Sequence, residues 1–540
     1  MRALSLVALL SVPLAACSRP SVPLYDNLGS LSHPISTRVP QAQRYFDQGL
    51  RLAYAFNHAE AIRAFREAAR RDDRCAICWW GVAFSYGPNI NLPMDSASGA
   101  AAWEALQEAT RRREHANDAE RAYIDALERR YGADPTAGRA GRDSAYAAAM
   151  IAVATRFPTD PDAATLAADA MMNLRPWNYW APDGSAYPGV DEAIATLERV
   201  LARDSTHPGT CHFYIHVVEA SPRPERALPC ARRLETAMPG AGHLVHMPGH
   251  LYLRLGMYSE ASRVNVHAAH ADESYIADQR PEGLYPLAYY PHNLHFLWAA
   301  AAFEGRRADA DSAMSRLRAN ATVEQARQVP ALELFVLPWY YHLVWFGRWE
   351  DILREAAPPA ELVTSTGLWR YARGRALAAT GRTAEAAIER DSLRALQVRA
   401  SHDLPPGMTI GFAPPAVVLD IAAAVLAGEL AARSRRFGEA VRHLESATRL
   451  EDALTYNEPS DWYYPTRLSL GAVLVEAGRA RDAEAVYREE LRRRPNSGWA
   501  LFGLEQSLRA QRKDALAATV HGEFERAWRG ADVRLTASRM

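Results

Sequence analysis

The chain shows one dominant pattern of apolar and polar positions. Apolar residues recur three and four positions apart along most of its length, the period of a helix with one buried face. Ala, Leu, Arg and Glu dominate these stretches, and none alternates with the two-residue period of a strand. The sequence therefore predicts an all-α fold.

The helical stretches also repeat. A Gly is followed twelve residues later by an Ala, and four residues past that Ala a large residue often follows, such as Phe65, Leu444 or Tyr487. Small side chains at both positions allow two antiparallel helices to approach closely, and the large one fills the gap beside them. The Gly and Ala pairs are Gly49/Ala61, Gly249/Ala261, Gly374/Ala386, Gly428/Ala440 and Gly471/Ala483.

Three of the alanines, Ala193, Ala227 and Ala261, are 34 residues apart, the tetratricopeptide period. With the Gly and Ala pairs, this spacing resembles the tetratricopeptide repeat family. The resemblance covers 45–86, 190–320 and 366–510, and it is weaker over 98–175. It implies an α-solenoid, a superhelix of stacked helix pairs whose first helices line a concave groove that binds a peptide or protein partner.

The repeats are irregular. Pro-rich and aromatic-rich insertions interrupt them at 175–188, 281–291 and 456–465. The third insertion resembles those of an uncharacterised group of bacterial repeat lipoproteins. Long loops inside a compact array are often functional, so the insertions either cap a ligand in the groove or fill gaps between repeats. The repeat pattern divides into arrays over 41–320 and 321–540.

The N-terminus resembles a bacterial lipoprotein signal peptide over residues 1–17. A positive start and an apolar stretch over 4–12 lead into a Leu-Ala-Ala-Cys sequence that ends at Cys17. The resemblance implies cleavage before Cys17 and its lipidation, and Ser18 implies retention at the outer membrane with the body in the periplasm. A plain secretory signal is the alternative. Residues 18–40, rich in Ser and Pro, are predicted to be a linker, and no later segment is expected to span the membrane.

Composition excludes some functions. The chain has 540 residues, 49% of them hydrophobic, and a net charge of −1, which argues against a nucleic-acid partner because polyanions require concentrated positive charge. The phosphate-binding GxxxxGK, the dinucleotide-binding GxGxxG and the hydrolase GxSxG motifs are missing from the sequence. Nucleotide-dependent and serine-hydrolase chemistry are therefore not expected.

Histidine is unevenly distributed, since ten of the 17 lie between residues 207 and 295. Relative to Ala227, Ala261 and Ala310, they recur eleven, fifteen and eighteen residues earlier, on three successive first helices. Spacings of three, four and seven residues place them on one helix face, which the resemblance assigns to the groove. Glu219 extends that face. The candidate metal ligands are His212, His216, Glu219, His243, His246, His250, His292 and His295.

Neighbouring packed helices lie about 8–10 Å apart, so imidazoles from two of them can share a metal ion. One predicted group is His212, His216, Glu219 and His250, and the second is His243, His246, His292 and His295. Imidazole with one carboxylate suits Zn, Cu, Fe or Ni. A neutral pocket for an organic or peptide ligand and the absence of any shared site are the alternatives.

Four cysteines follow Cys17, and an oxidising periplasm permits disulfides. Cys211 and Cys230 lie on the two helices of one predicted pair, nearly opposite each other, and are predicted to form a disulfide. Cys75 and Cys78 are predicted to form a local disulfide, with a redox-active pair as the alternative. The sequence thus predicts a membrane-anchored repeat protein that binds a transition metal in its groove, either as a metal-binding protein or as a metal-dependent enzyme. The alternative is an interaction scaffold without metal or catalysis.

Overall fold

The computed structural model describes residues 22–135, 137–405 and 407–540. This part of the chain forms helices that pack as successive antiparallel pairs, and it contains isolated β-bridges but no strand. The predicted fold class, an α-solenoid of antiparallel helix pairs, is confirmed. The predicted signal peptide and Cys17 lie outside the described residues.

The helices have the following bounds. In the first array they are α1 (Pro40–Tyr54), α2 (His58–Arg71), α3 (Ala76–Ser85), α4 (Ser96–Arg111), α5 (Asp118–Leu127), α6 (Arg139–Arg156), α7 (Pro161–Met172), α8 (Val190–Arg203), α9 (Pro208–Val218), α10 (Leu228–Ala237), α11 (Gly242–His246), α12 (Pro248–Arg254), α13 (Tyr258–Gln279), α14 (Tyr290–Phe303) and α15 (Arg307–Asn320). In the second they are α16 (Val323–Gln328), α17 (Pro338–Trp345), α18 (Trp349–Arg354), α19 (Val363–Ala379), α20 (Thr383–His402), α21 (Pro415–Arg433), α22 (Phe437–Asp452), α23 (Thr466–Glu476), α24 (Ala480–Arg493), α25 (Gly498–Ala510) and α26 (Asp514–Ala527).

The small and large residues of the repeat pattern explain how neighbouring pairs stack. Phe65 of α2 lies between Gly49 of α1 and Gly81 of α3, and a Cβ atom at these glycines would come within 2.7 Å and 2.5 Å of its ring. Tyr487 of α24 occupies the same place between α23 and α25. In both of these repeats, one large side chain of the second helix thus packs against two first helices, so the pair does not bury its apolar face alone.

The two arrays contact each other. The Trp499 Nε1–H of α25 donates to the Ala302 carbonyl of α14 at 2.9 Å, and the Asp532 N–H donates to the Gly305 carbonyl at 3.1 Å. The helices α24 to α26 and the tail that follows them therefore lie against the helix pairs that carry the histidines. The insertion at 456–465 of the second array also reaches the first, where the Tyr456 hydroxyl lies 3.5 Å from Glu219.

Residues 22–39, which fall in the predicted linker, contain no helix but lie along α1. The Tyr45 hydroxyl donates to the Val22 carbonyl at 2.9 Å, the Gln48 side chain bonds the backbone at both Pro23 and Tyr25, and Leu28 is buried. This described part of the segment is packed against the repeat body.

The expectation that no segment after the leader could span a membrane is wrong for α21 by length and composition. It is 19 residues long with a mean hydropathy of 1.8, but 78% of its apolar window is buried inside the fold. Its apolar character is explained by packing, because α20, α22 and the neighbouring first helices surround it.

Candidate metal centre

The histidine-bearing helices come together as the sequence register predicted. The helix α9, the broken helix formed by α11 and α12, and α14 are the first helices of three consecutive pairs, and each contacts the next. Six imidazoles from these helices form one cluster, with neighbouring ring centroids 4.7 to 6.2 Å apart. All but His292 are at most 1% exposed. The cluster is His212, His216, His243, His246, His250 and His292.

The six rings divide into two triads whose nitrogen atoms could each hold one ion. In each triad, one nitrogen per residue lies within 4.8 Å of the other two. The first triad is His212, His216 and His243, and the second triad is His246, His250 and His292. Glu219 and His295 belong to neither, so this partition differs from the two groups predicted from the sequence.

The difference has a geometric cause. His212 contacts His243, and His246 contacts His292. In each contact, the first histidine lies fifteen residues before the alanine of its own repeat, and the second lies eighteen residues before the alanine of the next repeat. Packed helices cross at an angle, so at these two places the contacts join positions one turn apart. His295 lies outside the cluster, and its ring packs on Tyr463 of the insertion at 456–465, with ring centroids 4.7 Å apart.

Hydrogen bonds orient two of the imidazoles through their Nδ1 atoms. His212 Nδ1 lies 2.6 Å from the Tyr54 carbonyl oxygen, which can only accept, so this nitrogen carries the proton. His246 Nδ1 lies 2.7 Å from Oδ1 of Asn265, whose Nδ2 donates to the Ala261 carbonyl. A neutral imidazole protonated on Nδ1 presents a lone pair at Nε2, the state that a metal ligand requires.

Glu219 orients two further imidazoles. It follows the last residue of α9 and is fully buried, with Oε1 3.1 Å from His216 Nδ1 and Oε2 2.7 Å from His250 Nδ1. Burial alone would raise the pKa of Glu219, but the charge of His250 and the hydrogen bonds of both imidazoles lower it to about 2. The carboxylate is therefore ionised inside the protein.

Several imidazole nitrogens that face the interior of the cluster have no hydrogen-bond partner. The buried Nε2 atoms of His216, His246 and His250 have none in the described part of the chain. The Nε2 atoms of His212 and His243 face each other at 3.2 Å. Burial, followed by the charges of neighbouring imidazoles, lowers the pKa of His212, His243 and His292 far below the ordinary value, so these rings are neutral at pH 7.

The repeat pattern itself supplies Asn265. It lies four residues past Ala261, where Phe65, Leu444 and Tyr487 stand in other repeats. A Cβ atom at Gly249 would come within 2.6 Å of the Asn265 Nδ2 atom, so the glycine permits this close contact. A polar residue in this normally apolar slot was the sequence signal that could have identified the partner of His246.

Aromatic rings cover the cluster from several segments. Trp177, from the insertion at 175–188, packs on His216 at 4.9 Å and also contacts Phe412 of the second array. Trp177 Nε1 donates to Asn91, whose side chain reaches the Tyr289 hydroxyl. Trp177 has a φ of 62°, a conformation rare for a bulky residue and frequent at functional sites.

Two phenylalanines complete the apolar surroundings. Phe56 packs 4.5 Å from His212 in the first triad, and Phe296 packs 4.5 Å from His246 and 4.6 Å from His250 in the second. Neither residue was predicted from the sequence. Lone apolar residues in a helical chain carry no signal that distinguishes them from ordinary core residues.

A third group of metal-type side chains is already satisfied within the protein. Asp162 accepts from His33 Nδ1 at 2.8 Å, from the Tyr54 hydroxyl at 2.6 Å and lies 3.1 Å from His207 Nε2. The neighbouring Asp160 caps the N-terminus of α7. These bonds account for the group as a polar network that fastens residues 22–39 to the body. This polar network was not predicted from the sequence, because its members are far apart in the chain.

The cysteines lie outside the cluster. Cys75 and Cys78 form a disulfide at the start of α3. Cys211 and Cys230 are buried thiols with sulfur atoms 2.6 Å apart, and they join α9 to α10 next to His212. A disulfide between them remains a prediction.

Comparisons with known proteins give a distant structural likeness. No protein-family model matches the chain, and no curated protein matches it. A structure of the human IFIT1 dimer with m7Gppp-AAAA is similar, with 13% identity, a TM-score of 0.36, and coverage of 84% of this chain and 90% of that chain. Yeast Tom70 is similar with 10% identity, a TM-score of 0.29, and coverage of 90% and 92%. Both are tetratricopeptide-type repeat proteins.

Proposed function

We propose that this protein binds transition-metal ions in its concave groove through the two histidine triads. The observation that carries the proposal is the set of buried Nε2 atoms without partners on His216, His246 and His250. A buried polar atom left without a partner costs about 1–3 kcal/mol, so three at one place require an explanation. A bound cation would use these lone pairs.

The local geometry suits a metal ion. Zn–N bonds of about 2.0–2.1 Å in a tetrahedral site place two ligand nitrogens roughly 3.3 Å apart. The Nε2 atoms of His212 and His243 are 3.2 Å apart. The Nδ1 contacts with a carbonyl, an amide and a carboxylate are those that orient metal-binding histidines in other proteins.

The donor set restricts the metal and the chemistry. Imidazole ligands favour Zn, Cu, Fe or Ni over Mg or Ca, which prefer oxygen. An ion held by three imidazoles keeps an open coordination position, where water or dioxygen could bind. On this basis the protein is either a metal-binding protein or a metal-dependent enzyme. The resemblance of its N-terminus to a lipoprotein signal peptide supports a location at the bacterial outer membrane, with the body in the periplasm.

A protein-interaction scaffold is the second candidate, because its tetratricopeptide-like fold commonly serves that role. In such arrays the groove receives a peptide. Here the chain's own Trp177, Phe412 and Tyr456 lie over the histidine face, with Tyr456 3.5 Å from Glu219. This coverage favours an enclosed centre over a peptide groove at this position.

The test is elemental analysis by mass spectrometry on protein purified from the periplasm without a His tag. We expect one or two equivalents of a single transition metal, reduced in His212→Ala and His246→Ala but unchanged in His402→Ala, whose side chain is exposed. Metal-free protein that takes up no Zn, Cu or Fe would refute the proposal. A stoichiometric partner captured by such protein would establish the scaffold.

A further inference from the structure

We infer that Glu219 is a shared positioning residue that joins the two triads into one binuclear centre. The inference rests on the proposed metal binding and adds the number of ions and the role of the carboxylate. Glu219 was predicted from the sequence as a ligand, and here it acts through two of the ligands instead.

The contacts define this role. One carboxylate oxygen lies 3.1 Å from Nδ1 of His216, in the first triad, and the other lies 2.7 Å from Nδ1 of His250, in the second triad. The hydrogen bond of His216 shows that its Nδ1 carries the proton, because the carboxylate accepts. His250 Nδ1 is in short contact with the other oxygen but outside hydrogen-bond geometry. The Nε2 atoms of both rings are buried without partners in the described chain. A single side chain thus contacts one ligand in each triad and fixes the tautomer of His216.

The position of the two imidazoles fits a single centre. The ring centroids of His216 and His250 are 5.4 Å apart, and the rings are nearly perpendicular at 72°. They come from different helices, α9 and α12, which are held side by side by the carboxylate between them. Any shift of Glu219 would move a ligand of both triads together.

Charge supplies a second argument. Glu219 is fully buried and, within the described part of the chain, has no Arg or Lys partner; its contacts are His216, His250 and Tyr456. A buried carboxylate without an Arg or Lys partner is unfavourable. Cations bound to His216 on one side and His250 on the other would compensate this charge through the imidazoles.

The test is titration of the metal-free full-length protein with Co(II), followed by its visible absorption spectrum. Wild-type protein is expected to bind two equivalents. Glu219→Gln keeps the shape but removes the negative charge that acts on both imidazoles, so both affinities should fall about 10–100-fold and both sets of bands should shift. Glu389→Gln is the control, because Glu389 is a buried carboxylate of the second array whose partners Arg370 and Arg373 lie outside the cluster. Its two affinities should stay as in the wild type.

Glu219→Asp is a second variant, which retains the charge and guards against misfolding of Glu219→Gln. Being one methylene shorter, it can reach one imidazole but not both, so one affinity should fall and the other persist. Two results with Glu219→Gln would overturn the shared role. One is that both affinities and the spectrum stay unchanged, and the other is that one ion is lost while the second binds as in the wild type. A single equivalent in wild-type protein would overturn the binuclear centre. Absence of any Co(II), Zn or Cu binding by the wild type would instead refute the proposed function itself.

Discussion

His295→Phe tests whether the partition of the histidines is right. His295 was a predicted ligand, but its ring packs among Tyr463, Trp298 and Phe335, and its Nε2 atom is buried without a partner in the described chain. Burial lowers its pKa from 6.5 to about 3. Phenylalanine fits an aromatic environment and does not titrate.

The magnitude follows from proton linkage. A histidine whose pKa is lowered by burial has no effect on stability above pH 6.5, where it is neutral in both states, and it destabilises the fold progressively as the pH falls from 6.5 towards 3. At pH 5 the unfolded chain binds the proton and the folded chain does not, which costs about 2 kcal/mol relative to pH 7.5. The larger phenylalanine ring adds a cost of about 1–3 kcal/mol that is independent of pH.

The assay is urea unfolding of metal-free wild type and His295→Phe at pH 7.5 and 5.0. The free energy of unfolding of the variant is expected to fall by about 2 kcal/mol less than that of the wild type between the two pH values. Its metal content should equal that of the wild type. An unchanged pH dependence would show that the folded protein protonates His295, and loss of metal would restore His295 as a ligand.

Three further predictions concern neighbouring features. Burial lowers the pKa of His33, but the hydrogen bond and charge of a carboxylate partner in α7 raise it to about 9. The attachment of residues 22–39 should therefore weaken as the pH rises from 6.5 to 9. Hydrogen exchange should become faster in this segment and not in the core helices. Gly249→Ala should weaken metal binding about 10–100-fold, because the added Cβ displaces Asn265, the partner of His246. Gly428→Ala is the control, since its added Cβ also meets a side-chain atom at 2.6 Å. It should lower the melting temperature and leave the metal affinity unchanged. Peptide mapping without reductant should find Cys211 linked to Cys230, and free alkylated thiols at both would contradict this.

Repeat period and small-residue spacing were sufficient to predict the architecture. Gly49 and Phe65 are recognisable in the sequence because close helix contact restricts both positions sterically, and the structure shows that contact. The helix face that carries His212, His216, His243, His246 and His250 was predictable for the same reason, since helical periodicity fixes which residues point the same way.

The exact pairing across helices was not predictable. It depends on the crossing angle between first helices, which places His243 and not His246 beside His212. Partners supplied by distant segments were also missed, such as the Tyr54 carbonyl, because backbone atoms leave no trace in residue identity. Asn265 is the exception, as a polar residue in the slot that Phe65, Leu444 and Tyr487 occupy in other repeats.

The most direct test of the central claim is an anomalous difference map from crystals of the metal-loaded protein, collected at the absorption edge of its metal. Two peaks are predicted, each about 2.0–2.1 Å from one nitrogen of each histidine in its triad. Glu219 should lie outside both coordination shells, in contact with His216 and His250. A map without a peak among the six imidazoles, or with its peaks at surface histidines, would contradict the account.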